Sequence, residues 1–395
     1  MANDEIIYLD NNATTQLDPA VIEEMLPFLT KYYGNPSSGY AFATKARKAV
    51  DLARERLAAL LGCEPSEIVF TSGGTESNNA VINSALQFEP RGNHIVTSAV
   101  EHSAVLRPCQ DLTKRGCEVT FLGVDRHGNV DLGELETAIR PDTALVSMMW
   151  ANNETGVLFP VEKIAEICHQ KGVLLHTDAV QAVGKIPIRL CDTAINFLSL
   201  SAHKFHGPKG VGALYVNRRT RFHPLIAGGG QENGRRGGTE NVASIAGLGK
   251  AAERAVQYLS EEKTPVRSMR DRFEKAILET VSGASVNGAG AARVPNSSSF
   301  SFEGIDSPAA LLLLDRHRIC CSAGSACRTG SQEASHVLHA MNSDANGGRR
   351  SLRFSFGRFN SDAQIDRVIE VVPKVIEKLR QMATPARVLE PQNSL

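Results

Sequence analysis

The sequence has little aromatic content (6%, with 1 Trp) and no excess of charge of either sign, 43 Lys and Arg balancing 43 Asp and Glu. A balanced chain lacks the positive field that nucleic-acid and membrane-surface binding need, so neither partner is expected. No apolar run approaches the roughly 20 residues of a membrane helix, and the acidic start, Met-Ala-Asn-Asp-Glu, has no apolar signal segment. A cytoplasmic location is the expectation. The 8 cysteines contain no C-x-x-C pair, which argues against a zinc ribbon or a thioredoxin motif, and no resident metal is expected. Cys63, Cys109, Cys117, Cys168 and Cys191 sit in or beside apolar stretches and are expected to be buried thiols. There is no internal repeat, and the P-loop pattern G-x-x-x-x-G-K-[ST] is absent.

What is present is a 395-residue chain, 42% hydrophobic and 22% charged, long enough for two or three domains of about 150 residues each. Thr44 to Leu61 carries apolar residues at helical spacing and ends on Gly62, a C-cap glycine. Short buried-strand patterns follow at Glu67–Thr71, His94–Ser98, Val119–Leu122, Ala144–Trp150, Val173–His176, Ile195–Leu200 and Val211–Val216, with helical segments such as Pro160–Lys171 between them. Seven strands interleaved with helices predict an α/β architecture, a mostly parallel sheet covered on both faces. Near residue 260 the pattern changes. Ser260 to Pro265 is polar, and helices over Val266–Val281 and Ala363–Met382 flank strands at Ser297–Phe302 and Leu352–Phe356, a smaller α+β domain. The expected division is a large domain over 15–260, a small domain from 1–14 and 261–383, and a loose tail over 384–395.

Three segments place reactive groups after strands. Thr71-Ser-Gly-Gly-Thr-Glu-Ser-Asn-Asn opens a helix, where glycines, amides and hydroxyls can hold an anion; an N-capped helix after a tight turn is the plainer alternative. Asp178, in His176-Thr-Asp-Ala-Val-Gln, lies at the carboxyl end of a strand, where open α/β sheets bind ligands; it could equally cap a helix. Lys204, in Ser201-Ala-His-Lys, follows another strand, and a desolvated lysine there can act as a nucleophile. Together they are the three groups that pyridoxal phosphate needs: a phosphate cup, a carboxylate for the pyridinium nitrogen and an amine for the aldehyde. Gly247-Leu-Gly-Lys mimics a dinucleotide fingerprint but follows no strand, and reads as a helix-packing face. Cys327 lies in a stretch of small residues with little to bury it, whereas Cys320 and Cys321 end an apolar run and read as packing.

These motifs resemble the class I cysteine desulfurases of the NifS/IscS type. The resemblance runs through Tyr8-Leu-Asp-Asn-Asn-Ala-Thr-Thr, Gly34-Asn-Pro-Ser-Ser, Thr71-Ser-Gly-Gly-Thr-Glu-Ser-Asn-Asn, Glu101-His, Asn152-Asn-Glu-Thr-Gly, His176-Thr-Asp-Ala-Val-Gln, Ser201-Ala-His-Lys, Arg235-Arg-Gly-Gly-Thr-Glu-Asn, Gly324-Ser-Ala-Cys and Leu352-Arg-Phe-Ser-Phe-Gly-Arg. Trp150-Ala-Asn-Asn-Glu-Thr-Gly and the Gln231…Asn241 stretch look more like the nitrogen-fixation NifS branch than the housekeeping IscS branch. Two positions depart from the family pattern: Ala323 stands where a second Ser is usual, and Arg328 where a Thr is usual. Neither removes a reacting group.

The resemblance implies the aspartate-aminotransferase-like fold (pyridoxal-phosphate fold type I), with pyridoxal 5'-phosphate as cofactor and L-cysteine as substrate. It implies that Lys204 forms the Schiff base, Asp178 pairs with the pyridinium nitrogen, Gln181 reaches the ring hydroxyl, and His102 stacks on the ring and moves protons. Gly74, Thr75, Ser201 and His203 would hold the phosphate, with Thr239 reaching it from the partner of a homodimer. Asn153, which would also contact the cofactor, and Arg353 would position the substrate, Arg353 at its carboxylate. Cys327 would take the sulfur as a persulfide, contacting a cluster at most during transfer, and pass it to a NifU-like iron–sulfur scaffold protein, for nitrogenase. Its loop, over 322–335, is expected to be weakly ordered, with Gly324 and Gly330 as hinges. A selenocysteine lyase or another pyridoxal-phosphate transferase would share Lys204 and Asp178 without needing Cys327. A non-catalytic sulfur relay would need the cysteine and not the lysine.

Overall fold

The computed structural model describes residues 5–88, 92–262, 265–323, 335–341 and 350–383. The seven strand patterns become β2 (Ile68–Thr71), β3 (His94–Ser98), β4 (Glu118–Leu122), β5 (Thr143–Ser147), β6 (Leu174–Asp178), β7 (Phe197–Ser201) and β8 (Gly212–Val216), following a short β1 (Ile7–Tyr8). They form one sheet in the order β2-β8-β7-β6-β5-β3-β4, with β8 antiparallel to both neighbours and the other pairs parallel. β3, β5, β7 and β8 are buried at every position, as expected of strands covered on both faces.

Helices α1 (Pro19–Thr30), α2 (Thr44–Leu61), α3 (Gly74–Phe88), α4 (Ser103–Thr113), α5 (Leu132–Ala138), α6 (Val161–Lys171) and α7 (Val242–Glu262) surround this sheet. α2 ends where the sequence predicts, on Gly62 in the left-handed conformation (φ 62°). The Gly247-Leu-Gly segment lies inside α7 as a packing face: a Cβ on Gly249 would stand 2.4 Å from Ala53 Cα of α2. The break expected at Ser260–Pro265 is shorter than that stretch, because α7 continues to Glu262 and α8 (Pro265–Thr280) begins at the proline, a residue well suited to a helix's first turn.

A second hydrophobic core gathers Ile7, Leu9, Phe273, Phe300, Phe354, Val368 and their neighbours. It joins β9 (Ala284–Val286), β10 (Ser297–Phe302) and β12 (Ser351–Ser355) as an antiparallel sheet, with β1 and β11 (Ile319–Cys320) pairing in parallel. Helices α8, α9 (Ser307–Arg316) and α11 (Asp362–Ala383) cover it, and α10 (His336–Ala340) packs on the first core instead. The residues between β1 and α1 thus cross from the small core to the large sheet. Cys109, Cys117 and Cys168 are buried and Cys63 is half-buried, but Cys191 is exposed. It lies on a tight turn, Leu190–Asp192, whose apolar neighbours Ile188 and Leu190 face inward and turn the thiol outward. The proposed tail and residues 324–334 lie outside the described residues, so the expectations for Cys327 and for the order of its loop fall there.

Candidate active site

The carboxyl ends of β2, β3, β6 and β7 surround a cavity of about 320 Å³. Its lining includes Gly74, Thr75, His102, Asn153, Asp178, Gln181, Ser201, His203, Lys204 and Arg353. Every described residue given a site role from the sequence is therefore in one place, except Thr239.

Asp178 is the last residue of β6 and is buried. Its Oδ2 accepts from Asn78 Nδ2 at 2.7 Å and its Oδ1 from the Val180 amide at 3.0 Å. Asn78 is on α3, and its own Oδ1 is buried with no hydrogen-bond partner among the described residues. Lys204 ends a single 3-10 turn after β7. Its Nζ donates to the main-chain oxygens of Asn12 at 2.6 Å and Ala13 at 2.8 Å. His102 caps α4, its Nδ1 accepting from the Ala104 amide at 3.1 Å; that ring nitrogen therefore carries no proton.

Beside this cavity, Ser72, Gly73, Gly74, Thr75, Ser201, His203 and Lys209 line a more open cup at the N-terminus of α3. The backbone can come this close because Gly73 adopts φ 149° and Gly212 of β8 packs against it, where a Cβ would meet Gly73 Cα at 2.6 Å. The first-turn amides of α3 and the helix dipole favour an anion there, although the Ser72 amide donates to Glu76 Oε2 at 2.8 Å. Burial, and to a lesser extent Lys204, push the His203 pKa down to about 4, so this imidazole is neutral at pH 7. Arg353, on β12, is 2% exposed and donates from Nη1 to Asn153 O at 2.8 Å and from Nη2 to Asp10 Oδ1 at 2.7 Å.

Several residues here carried no assignment in the sequence reading. Asp10 and Asn12 lie in the Tyr8–Thr15 motif and Asn78 in the anion loop, so the motifs marked the segments without revealing which side chains turn inward. Glu101 is fully buried, its Oε1 accepting from Ser98 Oγ and the Met149 amide, each at 2.8 Å. Burial pushes its pKa up to about 8. Thr239 lies in a neighbouring hollow that shares Ser72 and Gly210 with the anion cup. Within one chain it does not line the main cavity.

The donor set fits pyridoxal phosphate: a buried carboxylate, a lysine after a strand, an anion cup, an imidazole in the wall and an unpartnered buried acceptor at Asn78. A class-V aminotransferase family model matches residues 7–368. The chain belongs to that family. It is a pyridoxal-phosphate enzyme of the cysteine desulfurase group, with the fold type I architecture. A protein named cysteine desulfurase from Gluconacetobacter diazotrophicus is 53% identical over 379 residues, covering 95% of each chain. One named cysteine desulfurase NifS, from Azotobacter vinelandii, is 48% identical over 378 residues, covering 95% of this chain and 94% of that one. A solved structure titled NifS-like protein superposes with a TM-score of 0.89 at 38% identity, covering 95% of this chain and all of that one.

Proposed function

We propose that the enzyme converts L-cysteine to L-alanine and leaves the sulfur on Cys327 as a persulfide. The observation that carries the reading is the convergence of Lys204, Asp178 and Arg353 on one cavity, with one described end of the Cys327 segment bonded to Arg353 and the other beside an adjoining hollow. On one side, Ser322 and Arg353 exchange main-chain hydrogen bonds at 3.1 and 2.6 Å. On the other, Ser335 Oγ donates to Glu154 Oε2 at 2.5 Å, beside a hollow lined by His102, Asn153, Glu154 and His336.

Bound in the cavity, pyridoxal phosphate supplies an aldehyde that condenses with amines and a ring that withdraws electrons. Lys204 would bind that aldehyde carbon, and Asp178 would keep the ring nitrogen protonated. Gln181 would donate to the ring hydroxyl, and His102 would face the ring and move protons. Gly74, Thr75, Ser201 and His203 would hold the phosphate, joined by Thr239 of the partner subunit in a homodimer. Asn153 and Arg353 would orient the substrate, with the guanidinium on its carboxylate. The Cys327 thiolate then attacks the substrate sulfur: an S–S bond forms, the substrate's carbon–sulfur bond breaks, and the carbon skeleton takes up a proton to leave as alanine. The net change is L-cysteine plus a thiol to L-alanine plus a persulfide.

Delivery of that sulfur to a NifU-like scaffold for iron–sulfur clusters, and to nitrogenase in particular, is supported by the NifS-like sequence stretches and by the name of one relative. A cytoplasmic site of action is consistent with the described helices, none of which is long and apolar enough to cross a membrane. Incubation with L-cysteine, followed by quantification of alanine, tests the reaction; no alanine above a cysteine-free control rejects it.

A further inference from the structure

No carboxylate hydrogen-bonds Lys185 among the described residues. It lies on the turns that follow β6, and its Nζ donates to Asn12 Oδ1 at 3.0 Å and to Gln181 Oε1 at 2.5 Å. The residue keeps some exposed surface, but its amine is enclosed. Burial first, then the like charges of Lys204 and Arg353, lower its pKa well below that of a free lysine. The two acceptors present, Asn12 Oδ1 and Gln181 Oε1, engage two of its N–H bonds.

Gln181 is thereby held at both ends. Its Nε2 donates to Asn12 O at 2.9 Å, and because a main-chain carbonyl can only accept, the amide cannot be turned round. Its Oε1 faces Lys185. The second N–H of Nε2 is left for the active cavity, which Gln181 lines and Lys185 does not. Lys185 borders instead a smaller hollow, about 40 Å³, on the far side of Lys204. Among the described residues, its hydrogen bonds lead to the active cavity through Gln181 and Asn12.

We propose that Lys185 is a positioning residue that locks the Gln181 amide, so that its remaining N–H is presented to the cofactor's ring hydroxyl. This rests on the assignment of Gln181 to that hydroxyl. The test is a double-mutant cycle on the full chain. Parent, Lys185→Met, Gln181→Ala and the double variant are stripped of cofactor and titrated with pyridoxal phosphate, following the absorbance band of the bound form. Each single variant is expected to bind about tenfold more weakly, the size of one lost hydrogen bond, and to move the band in the same direction. The double variant is expected to bind no more weakly than Gln181→Ala, because Lys185 then has nothing left to position. Lys185→Gln, which restores a hydrogen-bond donor, recovers part of the loss. Parent-like binding by Lys185→Met overturns the proposal, as does a double variant that shows the product of the two losses. Parent-like binding by Gln181→Ala would instead remove the assignment of Gln181, the premise itself. Urea unfolding checks each variant, and if Lys185→Met does not fold, the same cycle runs with Lys185→Gln and a smaller expected loss.

Discussion

Asp10 and Arg353, 343 positions apart in the chain, form an ion pair with Asp10 Oδ1 2.7 Å from Arg353 Nη2. Arg353 comes from β12 and Asp10 from the crossing segment after β1, so the pair exists only because that segment threads between the two cores. With Asn153 O holding Nη1, the guanidinium is fixed in plane, which suits bidentate recognition of a carboxylate. Asp10→Asn keeps the shape and an acceptor but removes the charge. We expect KM for L-cysteine to rise several-fold with kcat changed much less, read from steady-state alanine formation. An unchanged KM would remove Asp10 from substrate positioning.

Asp178 accepts two hydrogen bonds, from Asn78 and from the Val180 amide. Asp178→Asn must turn its amide NH2 toward one of those donors, and it no longer carries the charge that favours a protonated ring nitrogen. Cofactor content should stay near the parent's while kcat falls by at least about 100-fold, the size of one preorganised electrostatic contact. Absorbance per chain and alanine release measure the two separately.

Lys204, Asp178 and the anion loop were legible because each lies at or just past the end of a strand with a strong buried pattern, and strand ends are where an open α/β sheet places its ligands. Asn12 and Lys185 were not, since their contact joins positions 173 apart and depends on the path of the crossing segment. Strand ends shifted for a similar reason. Ala144–Trp150 reads as one apolar run, but regular pairing stops at Ser147, and Trp150 leaves the strand while its amide still donates to Asp178 O at 2.9 Å. Apolar spacing records burial, and it cannot tell a buried strand from the buried turn that follows. Cys191 shows the converse error, in which an apolar neighbourhood along the chain did not bury a thiol on a tight turn.

Glu101 offers a pH test. Its pKa is about 8 in the folded protein because burial disfavours the carboxylate, against about 4.3 in an unfolded chain. A raised acid pKa means that the native state holds the proton while the unfolded state has lost it. The contribution is full below about pH 4.3 and declines through about pH 8, by up to about 1.4 kcal/mol per pH unit. Glu101→Gln removes this slope. Urea unfolding of the variant should therefore gain on the parent steadily from pH 5 to pH 8. A constant difference between the two across that range would contradict the assignment.

Ser335 caps α10 by accepting from the Leu338 amide at 3.1 Å while donating to Glu154. Ser335→Ala loses both bonds. An expected cost of about 1–2 kcal/mol in stability should be accompanied by slower alanine formation and unchanged cofactor content, because neither bond touches the cofactor cavity. Loss of cofactor in this variant would argue against that separation.

In the proposed reaction Cys327 receives the sulfur. The most direct measurement is mass spectrometry of the Cys327 peptide after a single exposure of the enzyme to L-cysteine, with thiols trapped by alkylation. One added sulfur is expected on Cys327, none on Cys320 or Cys321, and an equivalent amount of alanine in the same sample. In Cys327→Ala, the cofactor remains and alanine falls almost to background. Alanine released at the parent rate by Cys327→Ala, or sulfur found on another cysteine, would contradict it.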